Sequence, residues 1–323
     1  MMDMKRRDFL GLGFGLIATT ALPGCLTRTP DEETPLFGRR GKWERLNLSY
    51  QRIHLGLERP FSILHISDTH LTAAYDSESE AVRKRSAMRT ATFGGHQEEA
   101  LANTLGWAKE NVDGVIHTGD LIDFQSAANL DLVRKHFGGI ALGSMGNHEY
   151  SWPDTPAKAR MSEAEFRALG AAPLKTAYPF DLSFSSQVVR GVNFVAIDDV
   201  CGTVTREQVD RFAAEVRKGL PIVLCMHVPF YTDHIRVANA KFWSGVGKPF
   251  ASVAVPKASG DIKRQLEDSV TREFVAYLRS EPLLKGILAG HLHIAVQDRF
   301  SPTAMEYVVG GNFMFHGQEV LFT

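Results

Sequence analysis

Short, largely apolar runs rich in Ile and Val alternate along this chain with longer segments whose apolar residues recur at helical spacing. The runs 61–66, 114–117, 140–145, 192–197, 221–226 and 286–289 predict buried strands. Helical periodicity fills the intervals: residues 98–111 set Ala100, Leu101, Leu105 and Ala108 near one face, and 127–137, 162–169, 205–218 and 269–279 behave alike. Strands separated by helices imply parallel or mixed pairing through right-handed crossovers. Toward the C-terminus the rhythm changes. Residues 293–300, 305–309 and 320–322 predict consecutive strands, and 179–184 with 187–189 predict another pair, so the sheet margins are expected to be antiparallel. No fixed-period repeat or low-complexity tract interrupts the pattern, and one layered α/β domain over 46–323 follows.

Composition narrows what such a domain can do. The 323 residues carry 36 Lys+Arg against 37 Asp+Glu, and 44% are hydrophobic. That balance excludes a disordered chain and argues for no nucleic-acid-binding module. The first 24 residues read as an address: Lys5, Arg6 and Arg7 precede an apolar stretch, 9–22, in the manner of a twin-arginine export signal. With Gly11, Gly13 and Gly15 inside it, that stretch is shorter than the roughly 18 to 20 residues of a membrane-spanning helix. Leu22, Pro23, Gly24 and Cys25 resemble a lipoprotein box, although Pro23 departs from the usual small residue. The expectation is export across a bacterial inner membrane. The mature protein would be periplasmic or membrane-anchored, through a lipid on Cys25 or through the uncleaved apolar segment. Residues 25–45 read as a tether. Three cysteines cannot build a disulfide framework; Cys201 and Cys225 read as buried thiols, with a disulfide between them as the alternative.

Candidate chemistry is concentrated where the predicted strands end. Asp68-Thr69-His70, Gly119-Asp120-Leu121-Ile122-Asp123, Gly146-Asn147-His148-Glu149, His227 and Gly290-His291-Leu292-His293 each follow an apolar run. Open α/β sheets place their ligand crevice at the carboxyl ends of strands, where such clusters can meet. In extended backbone, residues i and i+2 project to one side, which would aim Asp68 with His70, and His291 with His293, into one site. Singly, each cluster reads as a turn with a solvated histidine or as a helix start favouring an acid. Their joint, ordered occurrence reverses that reading.

In this order the five clusters resemble the calcineurin-like metallophosphoesterase superfamily over roughly residues 61–300. The resemblance implies an α/β fold, a layered mixed β-sheet sandwich flanked by helices, and a hydrolase of phosphate esters with phosphodiesters favoured. It implies one metal held by Asp68, His70 and His293, a second by Asn147, His227 and His291, and Asp120 bridging the two. Nitrogen and oxygen ligands without thiolate suit two divalent ions of Mn, Fe, Zn or Co. The implied reaction is in-line attack on phosphorus by metal-bound hydroxide, with a site charge of about +1 suited to an anionic ester. His148 is implied to stand beside the scissile group as a cation or proton donor rather than as a ligand. Asp123 occupies the place where purple acid phosphatases carry tyrosine, which disfavours the iron-tyrosinate subclass.

Around these clusters the sequence leaves choices. Asp123 and Glu149 read either as acceptors orienting ligand imidazoles or as helix-start acids. His65 and His117, inside strands, read as core histidines. The insertions 72–97 and 229–261 are expected to overhang the metals and select the substrate. In the first, the run Arg83, Lys84, Arg85 and Arg89 reads more readily as a solvated helix face than as a rim, and His96 is a minor contact. The second offers Tyr231, His234, Arg236, Lys241, Phe242 and Trp243 as a cationic and aromatic rim for an apolar or glycosidic substituent. A phosphomonoesterase or nucleotidase, and a non-catalytic metal-binding envelope scaffold, are the other functions compatible with the chain. The oligomeric state is open.

Overall fold

A computed structural model describes residues 45–152, 163–245 and 268–323. The leader, Cys25, nearly all of the tether and much of the 229–261 insertion lie outside the described residues. Two mixed sheets form. The first has the order β1 (Asn47–Ile53), β11 (His316–Phe322), β2 (Phe61–Ile66), β3 (Gly114–Thr118), β4 (Leu142–Ser144). The second has the order β5 (Phe184–Val189), β6 (Val192–Ile197), β7 (Ile222–Cys225), β8 (Leu284–Ala289), β10 (Met305–Val308), β9 (Val296–Arg299). Their centres are parallel, β2 with β3 with β4 and β6 with β7 with β8, while the pairs β5–β6, β9–β10 and β11–β2 are antiparallel.

The apolar runs lack polar alternation because both faces of each central strand are covered. Ile63, Ile116, Phe194, Val223 and Leu288 point between the sheets into one core, joined by Phe61, Phe322 and Val320. Their neighbours Leu64 and Val115 face outward onto a helix layer through Leu101, Trp107 and Val133. On the other side, Val195, Leu224 and Ile287 pack against Phe212, Phe274 and Leu278. The layers are helix, sheet, sheet, helix. The outer helices are α2 (Gln97–Asn111) and α3 (Ala127–His136) on one side, and α5 (Arg206–Val216) and α7 (Ser269–Ser280) on the other. Side-chain caps from Ser126, Thr205 and Asp268 fix three of their starts, Thr205 within a reciprocal capping box with Gln208.

Several expectations change. Residues 179–183 form no strand: Phe184–Val189 is one continuous strand, since Pro179 cannot donate to a ladder and the chain turns before Phe184. The strand expected at 293–300 begins at Val296, because residues 290–293 are held in a loop. Edge strand β1 was not predicted; Asn47, Ser49 and Gln51 give it too little apolar signal, and it is fixed by parallel pairing with β11. The two insertions carry helices of their own, α1 (Glu80–Thr92) and α6 (Asp233–Gly245), and α4 (Glu163–Leu174) extends beyond the expected 169. Cys225 is a buried free thiol, as expected; the side chain of Cys201 lies outside the described residues.

Candidate metal centre

The ends of β2, β3 and β4 in one sheet and β7 and β8 in the other bring the side chains of Asp68, His70, Asp120, His148, His227, His291 and His293 to one place. The backbone there is unusual. Asp68, His70, Asp120, His291 and His293 all adopt left-handed φ, between 51° and 68°. Only two other described non-glycine residues, Arg190 and Phe315, share that conformation. Such conformations are costly outside glycine and cluster where the surrounding structure over-determines them. Here the peptides are tied across loops: Asp68 N–H donates to Gly119 O at 3.0 Å and His70 N–H to Asp120 O at 2.9 Å. Extended geometry therefore does not aim Asp68 and His70 together, as the i, i+2 spacing suggested; alternate left-handed residues do. His291 and His293 likewise part company and join different clusters.

The first cluster is Asp68, His70 and His293. His293 Nε2 stands 3.3 Å from Asp68 Oδ1 and 3.1 Å from His70 Nε2. The second is Asp120, His227 and His291, with His227 Nε2 3.3 Å from Asp120 Oδ2 and 3.2 Å from His291 Nδ1. Asp120 Oδ2 also lies 3.7 Å from His70 Nε2, so this carboxylate faces both clusters. Asn147 follows Gly146, whose α-carbon abuts Asp120, and its Oδ1 is buried with no hydrogen-bond partner.

Three observations say that cations fit here. Asp68 Oδ1 is buried and accepts no hydrogen bond, an expensive state that a metal relieves. Imidazole nitrogens meet each other, His70 with His293 and His227 with His291, and a neutral pair has at most one hydrogen to share. The far nitrogens of two rings are committed: His70 Nδ1–H donates to Asp123 and His227 Nδ1–H to Thr118 O, leaving each Nε2 as the nitrogen aimed inward. Burial would raise Asp68 and Asp120, yet the imidazoles outweigh it, His293 first for Asp68 and His227 first for Asp120, and hold both below the usual carboxylate range. Burial lowers His70 to about 4, which keeps its ring neutral and able to ligate.

His148 stands outside these two clusters but joins His70 and Asp123 in a third group of donors within 4.8 Å of one another. Its ring meets that of His70 edge-on at 4.7 Å, and its Nδ1–H reaches Asp123 O at 2.9 Å. Burial would lower His148, but the charge of Asp120 and then the hydrogen bond and charge of Asp123 push it up to about 9. Asp123 is buried and orients imidazoles, one of its two expected roles. Glu149 is neither of the things expected of it. Its carboxylate accepts the N–H groups of Asp120, Leu121 and Gly146 and the Tyr178 hydroxyl, bracing backbone rather than rings. His65 and His117 are core histidines, bonded to Thr118 and Thr69, with His65 Nδ1 left buried and without a hydrogen-bond partner.

Of the expected rim, Trp243 reaches the site. Its ring lies 6.0 Å from that of His293, and its Nε1–H donates to Leu292 O. Phe242, 39% exposed, meets Trp243 edge-on. His96 pairs with Glu99 instead. Sequence reasoning missed Phe93 and Phe313. Phe93 stacks on His70 at 4.3 Å, and Phe313 lies 5.2 Å from His293. It also misread Arg89, which is no solvated residue but forks onto Asp123. Neither signal was visible without the fold.

A family model described as calcineurin-like phosphoesterase matches residues 61–295, well over half of the chain. No curated protein matches it. Among solved structures, a dimetal phosphatase from Danio rerio is 14% identical, with 79% of this chain and 88% of that chain covered at a TM-score of 0.45. A phosphopantetheinyl hydrolase from Mycobacterium tuberculosis is 15% identical, with 79% and 91% covered at 0.37. A 5′-nucleotidase from Candida albicans is 14% identical at 0.37; 83% of this chain is covered, but only 47% of that one, so this chain spans about half its length.

Proposed function

The chain belongs to the calcineurin-like phosphoesterase family of hydrolases, and from that membership we propose that it is a two-cation phosphodiesterase of the bacterial envelope. The observation that carries this reading is the position of Asp120 Oδ2, 3.3 Å from His227 Nε2 on one side and 3.7 Å from His70 Nε2 on the other. Asp68, His70 and His293 would hold one cation, Asn147, His227 and His291 the other, and Asp120 both. Divalent Mn, Fe, Zn or Co suits these donors. Such a pair supplies charge to grip phosphate oxygens and readies a water for attack on phosphorus.

The protein's own groups do the rest. Asp123 and Thr118 fix the His70 and His227 rings so that ligation costs no reorientation. His148, protonated at neutral pH in the metal-free protein, holds its proton on the exposed side of the cluster. Its Nδ1–H is anchored on Asp123, so Nε2–H is the donor available to a leaving oxygen. Arg89 is neutralised by Asp123, so the cation beside the clusters is the His148 imidazolium. Trp243 and Phe313 beside His293, with Phe242 against Trp243, favour an ester with an apolar or ring-bearing substituent. The twin-arginine-like leader supports an envelope location; among the described residues no helix is long and apolar enough to cross a membrane.

The test combines elemental analysis with hydrolysis of bis(p-nitrophenyl) phosphate and p-nitrophenyl phosphate. We expect two bound transition-metal ions per chain, higher kcat/KM for the diester, and loss of both activities on chelation. Preference for the monoester would replace the diester reading with the phosphomonoesterase one. Activity that survives removal of all metal would overturn the two-cation reading altogether.

A further inference from the structure

We infer that Arg89, on the insertion helix α1, is a positioning residue for the metal centre: its guanidinium locks the Asp123 carboxylate, and through it the rings of His70 and His148. The inference rests on the two-cation reading above. Arg89 lies outside the five clusters, in a segment whose charges suggested only a solvated face. Its Nε donates to Asp123 Oδ2 and its Nη2 to Asp123 Oδ1, both at 2.7 Å. Two parallel bonds of this kind use the planar fork that arginine alone offers, and they fix a carboxylate in rotation as well as in place. The Arg89 side chain is only 23% exposed and Asp123 is fully buried, so solvent competes little.

Asp123 passes that constraint on. Its Oδ1 takes the Nδ1–H of His70 at 3.1 Å and lies 3.0 Å from His148 Nδ1. His70 is thereby held in the tautomer whose Nε2 faces Asp68 and His293. Without Arg89 the buried carboxylate would be held through Oδ1 alone, by the two imidazoles, and could turn about that oxygen. Its ligand atoms and those of His70 and His148 lie within 4.8 Å of one another, so a turned Asp123 would compete for a cation with the first cluster. The same helical segment grips His70 from a second direction. Phe93, just past the end of α1, stacks on the His70 ring at an interplanar angle of 15°, and the Arg89 guanidinium lies 4.7 Å from the centre of the Phe93 ring. The helix is itself anchored to the body of the fold. Ser79 caps it, and neighbouring Glu78 accepts the N–H of Ala127 at the start of α3. Arg85, one turn earlier, lies over the Phe124 ring at 5.2 Å with its Nε unpartnered, and serves as the neighbouring control.

The experiment is calorimetric titration of the metal-free full chain with Mn²⁺, wild type beside Arg89→Met, Arg89→Lys, Arg89→Gly and Arg85→Gln, with circular dichroism to report folding. The wild type is expected to bind in two steps. Arg89→Met should weaken one step by about 10- to 100-fold and spare the other, the usual cost of losing a group that orients a metal ligand. Arg89→Lys keeps the charge without the fork and should recover only part of the loss. Added guanidinium ion at low millimolar concentration should restore Arg89→Gly, which a purely structural defect would not allow. Arg85→Gln should titrate like the wild type. Folded Arg89→Met with both steps unchanged overturns the inference and leaves the metal centre standing. Should that variant not fold, Arg89→Lys decides, and wild-type affinities there overturn it too. A wild type that binds no Mn²⁺ overturns the two-cation reading and this inference with it.

Discussion

Replacing Gly146 by alanine tests whether the site depends on the placement of one carboxylate. A Cβ at position 146 would lie 2.2 Å from Asp120 Oδ1 and 2.3 Å from Asp120 N. Normal contact is near 3.5 Å, so Asp120 must retreat by roughly 1 Å. The carboxylate alone could rotate away, but the backbone nitrogen cannot, because it donates to Glu149 Oε2 at 3.0 Å in a buried brace. Asp120 Oδ1 also accepts the His148 N–H at 2.9 Å, and moving it breaks that bond. Overpacking of this kind costs about 1–3 kcal/mol, and loss of a buried hydrogen bond adds a comparable amount, so about 2–4 kcal/mol of stability should disappear. A displacement near 1 Å at Asp120 should lower turnover by about two orders of magnitude. Urea unfolding monitored by circular dichroism, alongside diester hydrolysis at saturating metal, measures both. A variant within about 0.5 kcal/mol of wild type and fully active would refute the close-approach argument.

His148→Ala should keep both metal-binding steps and lose about two to four orders of magnitude in kcat, with the smaller loss on esters whose leaving group needs no proton; equal losses on good and poor leaving groups would remove the proton-donor role. In the metal-free protein His148 is raised to about 9, so the stability it contributes is fully present below pH 6.5 and is lost as pH rises through 9. The unfolding free energy of wild type relative to His148→Gln should therefore fall by about 3 kcal/mol across that window, and a flat difference would show that the imidazolium is not held. Phe242→Ala and Trp243→Ala should raise KM for aryl diesters by roughly 2- to 10-fold while leaving dimethyl phosphate hydrolysis unchanged, in keeping with an aromatic contact of about 0.5–1.5 kcal/mol. The same KM on both substrates would dismiss the aromatic rim.

Much of the fold was legible because its central strands are buried on both faces. β2 and β6 coincide with the apolar runs that predicted them, since each run stops where the chain leaves the sandwich, at Ser67 and Asp198. β1 was illegible because an edge strand with Asn, Ser and Gln is held by its ladder with β11 rather than by its own side chains. The ligand clusters were legible from residue type and order, but the geometry that joins them was not. Left-handed φ at Asp68 or His293 leaves no trace in composition, because those residues tolerate it only under tertiary constraint. Helix α1 was read as a solvated face because among its residues only Val82 is buried. Its functional arginine finds a partner 34 residues further along the chain, a distance no periodicity reports.

The two clusters draw on both sheets. Asp68, His70 and Asp120 follow strands of one, His227, His291 and His293 follow strands of the other, and the contact between His70 and His293 spans 223 positions of sequence. No short stretch of this polypeptide can assemble either nest of donors by itself. Under the two-cation reading, ion capture would be a late event that certifies a finished sandwich, and a seated ion would act as a clasp against the two sheets parting.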